Sequence, residues 1–364
     1  MLKKLLIAIL PGVILLSSIA LSQEIYPVNG WQISTPEEQG LDPSPLDELK
    51  KLIVIERKFP NVHSVLIVRN GYLVSEDYFG GFNKDRLHML QSVSKSFTSA
   101  IMGIAIEKGI IKGVDEKILD FFPDIKEIEN LDDRKKEMSL KDLLTMRSGT
   151  DYNENGSDSP HYRLNALNTG WDRFYLDRPM VSVPGTRYQY DSGGVILMSA
   201  ILKNLTGMHA DEFMEENLFK PLEIEKKRWF RNQEGHPHTG GGLNLTPRDM
   251  AKFGLLYLRK GKWGDRQIVP EWWVEESFRM HVEFGRNRWS KEIGYGYLWW
   301  IQPPDPDGNG TQNIYAARGA YGQFIFIIPE YDMVVVVTGR GRTSAEYRDP
   351  ILFLYSHILK TVHH

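Results

Sequence analysis

The 364-residue chain contains no cysteine. This excludes a disulfide framework, a thiol nucleophile and a cysteine-borne lipid anchor, so stability must come from a packed core. Charge of one sign is also not in excess. Lys and Arg number 44 against 47 Asp and Glu, a formal net charge of −3. With no long basic run, the electrostatic footprint of a nucleic-acid binder is missing. A Gly-x-Ser-x-Gly elbow, a His-Glu-x-x-His helix and a phosphate-binding P-loop are absent, as are repeats and low-complexity segments. His236-Pro237-His238 supplies two ligand-type side chains without an obvious third, so neither metal nor cofactor is expected.

The long apolar run is at the N-terminus. Leu5–Leu21 follows the basic Met1-Leu2-Lys3-Lys4 and ends in Ala20-Leu21-Ser22 before Gln23. That is the layout of a secretion signal over residues 1–22. Residues 23–364 are then expected as one exported domain, periplasmic or secreted. Membrane contact would come only through an uncleaved signal.

Strand patterns cluster at the two ends of the mature chain. His63–Arg69 and Tyr72–Tyr78 flank Asn70-Gly71, a strong hairpin signal. Later runs over Tyr295–Ile301, Ile314–Ala317, Phe324–Ile328 and Met333–Thr338 read as further strands. Pro43–Lys58 has helix-like spacing of Leu46, Leu49, Leu52, Ile53 and Ile55, and Glu346–Val362 reads as a terminal helix. Thr246-Pro247-Arg248-Asp249 opens a helix running to Arg259, with Thr as N-cap and Pro at the first position. Between about residues 88 and 245 helical patterns alternate with polar loops and clear strands are missing. The economical architecture is α+β: an antiparallel sheet from residues 23–87 and 246–364, flanked by terminal helices, with a helical lobe of residues 88–245 inserted.

Ser92-Val93-Ser94-Lys95 carries the chemistry. Val93, Phe97, Ile101 and Ile104 continue at helical spacing, so Ser92 and Lys95 share a face one turn apart. A helix N-terminus favours negative charge, which suits an activated serine and the oxyanion it generates. On its own, Ser-x-x-Lys is equally an N-cap serine followed by a solvated lysine. Tyr190-Asp191-Ser192-Gly193-Gly194 is a second candidate, because a tyrosine beside a lysine loses its proton more readily. It is also compatible with a core tyrosine. Ala317-Arg318-Gly319-Ala320-Tyr321-Gly322-Gln323, entering a strand, is the third, where glycine permits close backbone approach to a ligand. A Ser-His-Asp triad through His236 or His238 stays open.

In this order and spacing, the three segments resemble the serine β-lactamase and penicillin-binding-protein superfamily over about residues 40–362. Its motifs are Ser-x-x-Lys, Tyr-x-Asn and Lys-Thr-Gly. Leu143–Gly149, Pro184-Gly185-Thr186, Gly241-Gly242-Leu243 and Gly322–Pro329 are similar too. The resemblance implies the two-lobed β-lactamase/transpeptidase-like fold and a set of roles. Ser92 would be acylated, Lys95 would orient it or take its proton, and Tyr190 would be the partner base and leaving-group acid. The backbone N–H groups of Ser92 and Ala320 would form the oxyanion hole. Ser192, Arg318, Gly319 and Tyr321 are weaker candidates for substrate contact.

Two departures stand out: Ser192 replaces the usual Asn, and Ala317-Arg318-Gly319 replaces Lys-Thr-Gly. Ala317 cannot hold a substrate carboxylate, which leaves Arg318, Arg340 or Arg342 for such a contact. These differences point to the esterase and 6-aminohexanoate-oligomer hydrolase branches, and Trp171–Leu202 looks closest to the latter. A small-molecule ester or amide is the expected substrate. A cell-wall D-peptidase or β-lactamase, or a binding protein that kept the fold, are the alternatives. Loops over Asp151–Trp171 and Val282–Trp289 are expected at the cleft mouth, where specificity is set.

Overall fold

The computed structural model describes residues 24–27, 29–284, 292–304, 310–343 and 345–362. The expected signal, residues 1–22, lies outside them. After the Ser44–Val54 helix comes the anticipated hairpin, β1 (Val62–Arg69) and β2 (Tyr72–Tyr78). Asn70 and Gly71 both have positive φ, 51° and 84°, as a tight twisted two-residue turn requires.

The middle of the chain is mainly helical, but it also holds the short strands β3 (His88–Met89), β4 (Lys227–Trp229) and β5 (Leu243–Leu245). They pair as β3-β5-β4 beneath the nucleophile segment. Strands of two or three residues are too short to carry an alternating pattern, which is why the sequence reads there as strandless. A further two-stranded ribbon joins β6 (Lys262–Trp263) and β7 (Arg266–Gln267).

The remaining strands are β8 (Val282–Glu283), β9 (Gly294–Tyr295), β10 (Trp300–Gln302), β11 (Ile314–Gly319), β12 (Gln323–Ile328) and β13 (Met333–Gly339). With the first hairpin they form one antiparallel sheet in the order β2-β1-β13-β12-β11-β10-β9-β8. The two chain ends therefore meet at β1·β13, with Leu66 opposite Val336. Val334 and Val336 face the core shared with the helical lobe, whereas Val335 and Val337 face the core under the terminal helices. A strand buried on both faces reads as a continuous apolar run, as this one does.

The run Tyr295–Ile301, expected as one strand, is split. Tyr297 N–H donates to Ser277 O (3.2 Å) and Leu298 N–H to Leu144 O (3.1 Å). Leu298 takes φ 61°. Tyr297, Leu298 and Trp299 are nonetheless buried, so apolar content masks the turn. The expected C-terminal helix is a run of helical turns of changing pitch, through Glu346–Arg348, Asp349–Phe353, Leu354–Ile358 and Leu359–Thr361.

The Ser94–Glu107 helix is the pivot of the molecule. Ser94 through Ala105 are all buried. A helix buried all round must satisfy its polar side chains internally. Ser96 Oγ donates to Leu298 O (2.8 Å), and Thr98 Oγ1 to Thr239 O (3.0 Å). Phe97 stacks on Phe253 at 3.7 Å between centroids. These contacts lock the helix, and with it the side chains of its first turn, between sheet and lobe.

Candidate active site

Ser92 lies in a 3₁₀ turn, Gln91–Val93, that runs straight into this helix. Gln91 before it adopts φ 52°, a left-handed conformation uncommon for a residue with a side chain. Held strain of this kind concentrates at functional sites. Ser92 is half-buried and opens to the cleft, whereas Lys95 one turn on is 1 % exposed.

Lys95 Nζ donates to Ser92 Oγ at 2.7 Å and to the Gly240 carbonyl at 2.6 Å. Burial lowers its pKa to about 8, because desolvation disfavours the charged ammonium; Glu154 and Asp191 pull it back up. The Gly240 carbonyl is itself fixed by its neighbour. Thr239 Oγ1 donates to Val195 O (2.7 Å), and Thr239 O accepts from Thr98.

Tyr190 packs with its ring 4.9 Å from Lys95 Nζ. Its other side stacks on Trp300, with centroids 5.8 Å apart. Burial and Glu154 push the phenol well above its ordinary range, partly offset by the Ser92 hydroxyl and Arg318. The ring is placed by the next residue. Asp191 caps the Ser192–Thr206 helix through Gly194 N–H (2.9 Å), and it also accepts from Ser148 Oγ (2.8 Å) and Tyr175 OH (2.5 Å). Helix and cap anchor Tyr190 one residue before the cap.

The third segment closes the cleft along β11. Gly319 lies so near the turn before Ser92 that a Cβ there would strike Leu90 O and approach Gln91 Cβ at 3.1 Å. Ala320 thereby comes to line the cleft together with Ser92. Arg318 forms an ion pair with Glu292 and lies 5.4 Å over the Trp300 ring.

Two cavities meet at Ser92. One, of about 500 Å³, is walled by Tyr190, Trp300, Phe284, Glu292, Arg318 and Gly319. The other, of about 450 Å³, is walled by Gln91, Tyr162, Asn165, Ser192, Phe230, Gly240–Gly242 and Tyr321. Glu154, Ala320 and Tyr347 border both. The structure thus gathers all of Ser92, Lys95, Tyr190, Ser192, Arg318, Gly319, Ala320 and Tyr321 around one cleft. Arg340 and Arg342 line a different cavity.

Glu154 was not singled out from the sequence. It sits in the loop Asp151–Trp171, expected at the cleft mouth without any one residue being named, and its Oε1 accepts from Ser192 N–H (3.0 Å). Of the second expected mouth loop, Phe284 lines the cleft and residues 285–289 lie outside the described residues. The histidine alternative finds no geometry. His238 borders the second cavity, but its Nε2 pairs with Asn165 Oδ1 at 2.8 Å, and burial beside Lys95 lowers its pKa to about 3. His236 packs on His209 at 5.2 Å. Among the described residues no three His, Asp or Glu side chains converge as a metal site would require. No helix among them is long and apolar enough to cross a membrane.

The family model for Beta-lactamase matches residues 55–355. The chain belongs to that family, and it is a serine hydrolase of β-lactamase-related type. It is 24% identical over 334 residues to the 6-aminohexanoate-dimer hydrolase of Paenarthrobacter ureafaciens, covering 84% of this chain and 82% of that one. Among solved structures, EstCE1, a hydrolase with promiscuous acyltransferase activity, superimposes with a TM-score of 0.71 at 15% identity, covering 86% of this chain and all of that one (100%). The octameric penicillin-binding protein homologue from Pyrococcus abyssi gives 0.66 at 20% identity, covering 88% and 79%. At such identities these structures speak to the fold, and the expected α+β architecture agrees with it.

Proposed function

We propose that this protein hydrolyses a small ester or amide through an acyl-enzyme on Ser92. The observation that carries the reading is the buried Lys95 amine, 2.7 Å from Ser92 Oγ, with the Tyr190 ring against it. Neutral Lys95 takes the Ser92 proton as Oγ attacks the carbonyl carbon. The oxyanion develops toward the backbone N–H groups of Ser92 and Ala320. Tyr190, kept protonated by burial, is the proton donor to the leaving oxygen or nitrogen. Lys95 returns the proton to Tyr190 as the tetrahedral species collapses. Water then attacks the acyl-enzyme by the reverse proton path and restores Ser92.

The occupied state of Arg318 supports an esterase or amidase over a β-lactam hydrolase. With Ala317 in the Lys position and Arg318 paired to Glu292, no unpaired cation stands on that strand to clamp a β-lactam carboxylate. The name of the Paenarthrobacter relative, a hydrolase of a 6-aminohexanoate dimer, makes linear amides worth screening beside esters. Residues 1–22, read as a secretion signal, support an exported mature protein beginning near Gln23; a full-length protein retained in the cytoplasm would argue against export, and an exported form whose N-terminus is far from Gln23 would argue against that cleavage site.

A fluorophosphonate probe should label the wild type and p-nitrophenyl acetate should be turned over, with both lost in Ser92→Ala. Undiminished labelling of Ser92→Ala would refute the assignment. Stoichiometric acylation by a penicillin would move the reading to the D-peptidase or β-lactamase alternative.

A further inference from the structure

Behind the Tyr321 wall of the catalytic cleft lies a third cavity, the largest of the three at about 1020 Å³. It shares Met89, Gln91 and Tyr321 with the Gly240–Gly242 half of the cleft, so the two spaces adjoin across those side chains. Its lining contains Arg86, Arg340 and Arg342 and no carboxylate. All three arginines are exposed, and none forms a salt bridge among the described residues. The Glu346 carboxylate stands at the edge of the cavity, where its Oε2 accepts from Asn61 Nδ2 at 2.8 Å and from the Arg342 backbone N–H rather than from a guanidinium.

The opposite wall is rigid and aromatic. His63 stacks on Phe82 with centroids 3.6 Å apart, His88 packs 5.2 Å from Phe82, and Arg86 sits 5.5 Å over the Phe82 ring. His63 Nδ1 and His88 Nε2 are buried without a hydrogen-bond partner. Both histidine rings line the cavity beside Phe82. Burial lowers the pKa of each histidine to about 4, helped by Arg340 and Arg86 at His63 and by His63 and Arg86 at His88.

We propose that this cavity binds the anionic end of the substrate, a carboxylate or group of like charge on the arm that extends past Gln91 and Tyr321. Three unpaired guanidinium groups with no lining carboxylate attract an anion, and guanidinium is the side chain best matched to planar carboxylate geometry. Adjacency to the cleft makes the anion part of the molecule being cleaved. The contact sits apart from Arg318, which is paired with Glu292, and from Arg348, which lines the Ser92 cavity on the near side of Tyr321. This inference rests on the hydrolase reading of the cleft.

Two substrate series test it. p-Nitrophenyl half-esters of dicarboxylic acids of increasing length carry the carboxylate on the acyl arm. Acetate esters of ω-hydroxy acids carry it on the leaving arm. Each is compared with its neutral ω-methyl analogue in the wild type and in the Arg86→Gln/Arg340→Gln double variant. In one series the wild type should prefer the carboxylated member by about tenfold or more in kcat/KM. The double variant should bring that ratio close to one, and inorganic phosphate should compete with the carboxylated ester alone. No preference in either series, or one that survives the double variant, overturns the inference and leaves the hydrolase reading intact. Phosphate binding that the double variant abolishes, without any ester preference, makes the cavity a free-anion site and likewise overturns the substrate-arm assignment. Neutral esters turned over equally by Ser92→Ala would instead overturn the hydrolase reading, and this inference with it.

Discussion

Raising the pH from about 6 to about 9 should increase kcat/KM for a neutral ester by nearly two orders of magnitude, through an apparent pKa close to that of Lys95. The reasoning starts from burial. An ordinary lysine, at 10.5, is neutral in about three molecules per ten thousand at pH 7. Loss of solvation brings Lys95 to about 8, so about one in ten is neutral at pH 7, one in a hundred at pH 6 and nine in ten at pH 9. The gain in neutral amine at pH 7 is roughly 300-fold, or about 3 kcal/mol. Tyr190 cannot supply the same limb, because its phenol is shifted upward. The assay is initial-rate hydrolysis at low substrate, where kcat/KM reports free-enzyme groups, with Ser92→Ala as the hydroxide blank. A flat profile across this range, or a rise only near 10.5, would refute Lys95 as the base. The same shift has a stability sign. Folded Lys95 holds its proton less firmly than the unfolded residue, so the burial penalty is fully present below about pH 8 and disappears toward 10.5. The unfolding free energy of wild type relative to Lys95→Met should therefore rise over that interval by about 3 kcal/mol.

Tyr190→Phe should slow hydrolysis by about 100-fold, and by more for an alkyl ester or amide than for a p-nitrophenyl ester, whose leaving group needs no proton. Equal slowing for both leaving groups would argue against the donor role. Asp191→Ala removes a cap and strands the Ser148 and Tyr175 hydroxyls. Its expected cost is about 3 kcal/mol in urea unfolding, and a loss below about 1 kcal/mol would contradict the network. Gly319→Ala drives a Cβ into the Leu90 carbonyl and displaces Ala320. Fluorophosphonate labelling should fall by about 100-fold or more with far-UV circular dichroism unchanged, whereas near-normal labelling would dissociate this strand from the oxyanion site.

How much of this was legible in the sequence depended on how local the cause was. The β1–β2 turn is written in Asn70-Gly71, because its two residues adopt the positive φ that the turn needs. The start of the Pro247–Leu258 helix is written in Thr246 and Asp249, whose side chains and backbone bond each other within one turn. The Ser92–Lys95 spacing is set by helical geometry alone. The β3-β5-β4 sheet was not legible, since two- and three-residue strands carry no period, and neither was the break at Gly296–Trp299, where the Tyr297 and Leu298 N–H groups reach the distant carbonyls of Ser277 and Leu144.

The site divides in the same way. Which residues could react was readable from their types, order and spacing, including the change from Lys-Thr-Gly to Ala317-Arg318-Gly319. Tertiary structure alone decided the rest. It put the Gly240 carbonyl on Lys95, 145 positions away, turned Arg318 onto Glu292, left His238 on Asn165 and brought Glu154 in from an acidic loop. The physical reason is that backbone propensity acts within a turn or two, whereas desolvation acts on whatever the fold packs nearby. Sequence by itself determined that a serine and a lysine would share one helical face. Only the packing of sheet, lobe and loops around that face decided that the lysine is dry enough to lose its proton near neutral pH.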